Sequence, residues 1–191
     1  MNRRFVPLAL LAAASLHSAV ARADPSTRCF LQMSRFDLGV EQKVVLCSAA
    51  QNDAPQRCAI TASREGLTPD QIVRLCQGST NDGPNRCLVN SYDRGLTIDQ
   101  QLKLCAETTT SHPNTCFDAS ASLPLTFDQR INLCAQSESD RPLRCWNDAL
   151  PLGLSTDLHV FLCSNLTPAD WPTLADPSRA RAPSNGSGTC R

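Results

Sequence analysis

The sequence predicts an all-α solenoid: five disulfide-stapled helical hairpins in a row, followed by a flexible C-terminal tail. Three observations carry that expectation. Cysteines stand at 29, 58, 87, 116 and 145, and again at 47, 76, 105, 134 and 163, so both series step by 29 residues and five C-x17-C units are joined by ten-residue spacers. Each unit contains two sets of helix-start signals with a turn between them. The chain also opens on an export signal, and its eleven cysteines then point to disulfides rather than to reduced thiols.

Residues 1–23 read as a signal peptide. Arg3 and Arg4 form a positive start, Phe5 to Ala14 a short apolar run, and Ala21-Arg22-Ala23 a small-x-small cleavage pattern, with the cut after Ala23. The apolar run is too short for a membrane span, which takes about 20 residues. The expected location is therefore secreted or periplasmic, with no membrane span. Cleavage removes Arg3, Arg4 and Arg22 and leaves 15 basic against 18 acidic side chains. That balance excludes the basic footprint of a nucleic-acid binder.

Residues 24–172 form the predicted solenoid. In its second unit Pro55 suits the first position of a helix carrying Cys58, and Gly66 suits a left-handed residue just past that helix. Thr68-Pro69-Asp70-Gln71 is a capping box that opens a second helix running to Cys76, with Gly78 closing it. Thr97 to Gln100 and Thr126 to Gln129 repeat the box; Ser155 to Leu158 keeps the cap and loses the glutamine, while Gly39 to Gln42 keeps the glutamine and weakens the cap. Pro84, Pro113 and Pro142 match Pro55, and Pro25 opens the first unit. Leucines at 38, 67, 96, 125 and 154 precede the caps as hydrophobic staples. Leu46, Leu75, Leu104, Leu133 and Leu162, with Val44, Val73, Leu102, Ile131 and Val160 two residues earlier, are the expected buried face. Helices of this length are marginal alone, so neighbours and cross-links must hold them.

Two regular disulfide schemes fit the spacing. One closes each hairpin: Cys29–Cys47, Cys58–Cys76, Cys87–Cys105, Cys116–Cys134 and Cys145–Cys163. The other ties neighbouring units, as in Cys47–Cys58, and ends on Cys163–Cys190. Counting about 1.5 Å per residue back from the turn puts both thiols of a hairpin at the same height. The ends favour closed hairpins too, because that scheme leaves over only Cys190, which lies off the period, whereas the other strands Cys29. Both schemes remain geometrically feasible.

After Cys163 the period stops. Leu166 to Asp170 resembles a helix start that Pro172 breaks, Trp171 is placed to cover the last unit, and residues 173–191 read as the tail. Cys190 is a candidate free or intermolecular thiol, the latter giving a disulfide-linked dimer.

No motif for catalysis is present. There is no C-x-x-C, no Gly-rich phosphate loop, no nucleophile elbow and no HExxH. Cysteine spacings of 18 and 11 do not form zinc clusters, and no cofactor is implied. His112 and His159 read as surface residues, and Asp70, Asp99, Asp128 and Asp157 as acids favoured by the helix dipole. The 29-residue period does not match the Sel1-like or tetratricopeptide pattern.

The sequence thus predicts a non-enzymatic exported scaffold that binds a protein or peptide. Its framework positions recur, while the pairs just after each first cysteine differ in every unit: Leu31-Gln32, Ile60-Thr61, Val89-Asn90, Asp118-Ala119 and Asn147-Asp148. Relaxed surface drift produces the same pattern. The alternative is a structural envelope or surface component cross-linked through Cys190, and a third class is a secreted toxin, inhibitor or hydrolase.

Overall fold

A computed structural model describes residues 24–165, and among them the chain is entirely helical. Ten α-helices form five hairpins: α1 (Pro25–Gln32) with α2 (Val40–Cys47), α3 (Ala54–Arg64) with α4 (Pro69–Cys76), α5 (Gly83–Ser91) with α6 (Ile98–Cys105), α7 (His112–Ala119) with α8 (Phe127–Cys134), and α9 (Arg141–Ala149) with α10 (Thr156–Cys163). Short 3-10 turns such as Tyr92–Arg94 extend four of the five first helices. Every second helix has eight residues and ends on its cysteine.

Each hairpin is closed by its own disulfide: Cys29–Cys47, Cys58–Cys76, Cys87–Cys105, Cys116–Cys134 and Cys145–Cys163, with Cα atoms 5.4–5.6 Å apart. Of the two schemes open to the sequence, the local one is present. No disulfide joins one repeat to the next among the described residues.

The helix starts follow from the capping chemistry. The hydroxyls of Thr68, Thr97 and Thr126 accept from the N–H of Gln71, Gln100 and Gln129 at 3.3–3.4 Å, and each glutamine Oε1 accepts in return from its cap N–H at 2.9–3.0 Å. Gly39 keeps half of this exchange, its N–H donating to Gln42 Oε1 at 2.8 Å. Ser155 keeps the other half, accepting from the Leu158 N–H. Gly66, Gly95 and Gly153 take positive φ between the two helices of their hairpins, where a side chain would be strained. The prolines of the four later hairpins sit one place further in than expected: α3 begins at Ala54, α5 at Gly83, α7 at His112 and α9 at Arg141, so Pro55, Pro84, Pro113 and Pro142 are second residues. That N–H also lacks an intrahelical partner, so proline costs nothing there.

The spacers do more than turn the chain. Asn52 and Asn81 accept from the N–H groups of Ala54 and Gly83 at 2.7 Å, opening the next helix. Each then donates its amide to a carbonyl one repeat further on, Thr80 O and Thr109 O, at 3.0 Å. Buried Asn85 and Asn114 donate back to the carbonyls of Cys58 and Cys87, 3.2 and 2.7 Å away.

A second ladder uses the recurrent acids. The amides of Gln42, Gln100 and Gln129 donate to Asp70, Asp128 and Asp157 of the following repeat at 2.6–3.0 Å, and Arg74 reaches Asp99 at the remaining junction. The capping-box glutamine therefore serves two neighbours. The last repeat, which has no described successor, carries Leu158 in its place.

One apolar cluster runs through all five hairpins. Leu46, Leu75, Leu104 and Leu133 are fully buried, as are Leu102, Ile131 and Val160. Val73 is partly buried, and two further expected core positions are exposed. Val44 in α2 and Leu162 in α10 are about half exposed, because each sits on the outer face of a terminal hairpin. The position one before the second cysteine packs toward the following repeat, and the position three before it toward the preceding one.

Candidate recognition face

The residues that vary between repeats come to one face, that of the first helices. Leu31, Gln32, Val89, Asn90, Asp118, Ala119, Asn147 and Asp148 are exposed, and Ile60 and Thr61 are half-buried. They follow a disulfide-bonded cysteine by two and three residues, buried in the first four repeats and partly buried at Cys145, so the disulfide fixes the helix turn that presents them. The face changes along its length. The first three repeats offer Leu31, Ile60 and Val89, and the last two offer Asp118 and Asn147 at the same position.

One turn earlier on the same helices runs a row of charge pairs. Arg57–Asp53, Arg86–Asp82 (3.4 Å) and Arg144–Asp140 (3.0 Å) are four-residue pairs at helix starts. The Arg57 guanidinium beside Asp53 holds that carboxyl below its usual range, and Arg28 of the preceding repeat adds to the effect. Such exposed pairs stabilise by at most about 1 kcal/mol each, so they shape the surface more than they hold the fold. Repeat four lacks the pair, carrying Ser111 and Thr115 instead. The sequence reading passed over these arginines, although each stands one residue before a first cysteine except at Thr115.

Between α3 and α5 the face opens into a groove of about 380 Å³ lined by Thr61, Asp82, Asn85, Arg86, Val89 and Asn90. A second groove of about 380 Å³ lies one repeat earlier, walled by Arg28, Gln32, Gln51, Asn52 and Asp53. The first mixes an apolar wall with charged rims; the second is polar throughout. Grooves that recur along stacked helices suit an elongated ligand better than a compact one.

Three other candidates fall elsewhere. His159 corrects the expectation of a surface residue: it is buried and stacked on Trp146, ring centroids 4.1 Å apart, with Nε2 unpartnered. Its counterpart Arg130 lies over the Phe117 ring at 4.0 Å and donates to Phe117 O and Ser120 Oγ. Burial in turn lowers the Arg130 pKa. In the last two hairpins a pair thirteen residues apart thus sets an arginine or a histidine side chain against an aromatic ring. His112 is half-buried at the start of α7. Cys190, Trp171 and the signal peptide lie outside the described residues.

Among the described residues no three His, Cys, Asp or Glu side chains are placed to hold a metal ion, and no helix is long and apolar enough to cross a membrane. No protein-family model, curated protein or solved structure matches the chain.

Proposed function

We propose that the protein is an exported, non-catalytic scaffold that binds a protein or peptide along its first-helix face. The observation that supports this most directly is the contrast within each hairpin. Caps, staples, cysteines and ladder residues recur, and the outward positions beside them change from Leu31, Ile60 and Val89 to Asp118 and Asn147. Fixed geometry under varied side chains is what a recognition surface requires. Export is supported by the five disulfides, which persist in oxidising compartments, together with the N-terminal targeting pattern.

The test is affinity capture from the native envelope or medium with the wild-type chain beside a Leu31→Glu/Val89→Glu variant. A partner retained by the first and lost by the second supports the reading. A wild-type chain that returns nothing above background counts against it.

A second reading rests on cysteine accounting. The five bonds use all ten periodic cysteines of the eleven in the chain, so Cys190 has no unpaired cysteine left in its own chain. In this reading the protein is an envelope or surface component cross-linked through that thiol, and a Cys190→Ser variant loses a disulfide-linked dimer on non-reducing gels. Identical migration of the two forms removes the reading.

A further inference from the structure

The two ends of the array leave opposite sides of a repeat–repeat junction open. At every internal junction a leucine before the second cysteine is covered by the next hairpin: Leu46, Leu75, Leu104 and Leu133 are all 0% exposed, and Leu162 at the same position is 51% exposed. The staple leucines grade in the same direction: Leu38, Leu67 and Leu96 are 6–8% exposed, Leu125 is partly buried and Leu154 is 38% exposed. At the other end the pattern is mirrored. Leu102, Ile131 and Val160 are covered by the preceding hairpin to 0–1% and Val73 is partly buried, whereas Val44 is 52% exposed. Val44 also lines a groove of about 250 Å³ with Ser26, Thr27, Phe30, Cys47 and Ser48.

What covers such a leucine is settled four times within the chain: it is the following hairpin of this repeat. The second helices pack α2 on α4, α4 on α6, α6 on α8 and α8 on α10 in one unchanging arrangement. The outer face of α10 therefore carries the surface that an α2 face fits, and the only first hairpin with an open α2 face is that of another copy.

We propose that the chain associates head to tail, the α10 face of one copy seating Leu162 in the groove beside Val44 of the next. The contact continues the repeat–repeat interface already built four times. It is heterologous, joining two different patches, and so extends into open chains rather than closing as a two-fold dimer. It is also weaker than an internal junction. The glutamine–aspartate rung that joins Gln100 to Asp128 and Gln129 to Asp157 would here fall to Leu158 and Glu41, which cannot form it. No peptide connects the two hairpins either. Association is accordingly concentration-dependent.

The experiment is sedimentation velocity on the full exported chain carrying Cys190→Ser, which removes thiol cross-linking, across a range reaching about 1 mM. The unmutated ends give a weight-average mass that climbs with concentration past the dimer. Val44→Asp and Leu162→Asp change exposed side chains, and far-UV and near-UV circular dichroism verify that each stays folded. Each alone is monomeric throughout. Mixed in equal amounts they form dimers and nothing larger, because one intact α10 face meets one intact α2 face. A parent chain that stays monomeric to about 1 mM overturns the proposal, as it does if residues following 165 cover Leu162 instead. Single variants that associate like the parent, or a mixture that stays monomeric, overturn it equally.

Discussion

Replacing Gly83 by alanine sets a local preference against the stacking of repeats. By helix propensity alone the change is favourable, by at most about 1 kcal/mol in a helix interior and less at a first residue. The neighbouring repeat reverses the sign. A Cβ at Gly83 would lie 2.3 Å from Thr109 C, 2.5 Å from Thr108 O and 2.6 Å from Thr109 Cα. Ordinary carbon contacts need about 3.5–4.0 Å, so the third and fourth repeats must part by about an ångström. All three atoms are backbone and cannot rotate away. Overpacking of this kind costs about 1–3 kcal/mol. Moving Thr109 also strains the bonds its carbonyl accepts from Asn81 Nδ2 at 3.0 Å and Arg86 at 3.3 Å, each contributing about 1 kcal/mol. The expected outcome is a loss of about 2 kcal/mol, read as a lower urea midpoint with an unchanged slope. Ala54 holds the same place one repeat earlier and is buried without such a clash, so Ala54→Gly should cost less than the penalty of about 0.5–1 kcal/mol that a glycine carries in a helix interior. A Gly83→Ala midpoint equal to or above wild type refutes the reasoning.

Removing one interior bond as Cys87→Ala/Cys105→Ala should cost about 3 kcal/mol by the chain-entropy relation, with a similar entropic cost at any other hairpin because all five bonds span 18 residues; urea unfolding measures it, and non-reduced peptide mapping checks the pairing. Gln136 holds a positive φ of 56° at the end of α8, where Gly78 stands at the end of α4, so Gln136→Gly should raise stability by about 0.5–1 kcal/mol. The single tyrosine gives a clean optical titration: burial, then the hydrogen bond to Glu65 at 3.0 Å and that carboxylate's charge, push Tyr92 up to about 12. Its absorbance midpoint should fall toward about 10 in urea and move part-way down in Glu65→Gln. Because the folded value is the higher one, Tyr92 contributes stability that is intact below the unfolded pKa and is lost as pH rises from about 10 through about 12.

Much of the fold was legible because cysteine spacing and capping chemistry are local. A threonine followed three residues later by glutamine states a helix start without reference to anything distant, and the αL glycine at 66 states where the hairpin turns. What the sequence hid depends on which residues meet across repeats. Gln100 and Asp128 are 28 residues apart and each has a sufficient local role, so nothing in either predicts that they bond. The exposure of Val44 and Leu162 follows only from knowing which side of each second helix looks forward along the stack. His159 misled because its counterparts Lys43, Ile72, Gln101 and Arg130 share no chemistry. Set beside the residue thirteen earlier, two members of the series become readable: Arg130 meets Phe117 and His159 meets Trp146. On the face of the first helices, the variable pairs are visible in the sequence as variation, whereas the arginine row beside them becomes apparent only from its ion pairs.

Confining every disulfide to its own hairpin has a consequence for how such a chain changes length. Deleting or duplicating any 29-residue block in the interior removes or adds two cysteines that bond to each other once the reading frame of repeats is kept. No orphaned thiol results, and each new joint sets the recurrent aspartate of one repeat beside a glutamine or arginine of the repeat before it. The specialised residues Gly39, Glu41 and Leu158 sit only in the terminal hairpins, so growth by unequal recombination in the middle leaves both ends intact. A chain of four or seven hairpins is thus one genetic event away and would begin and finish on the same two surfaces.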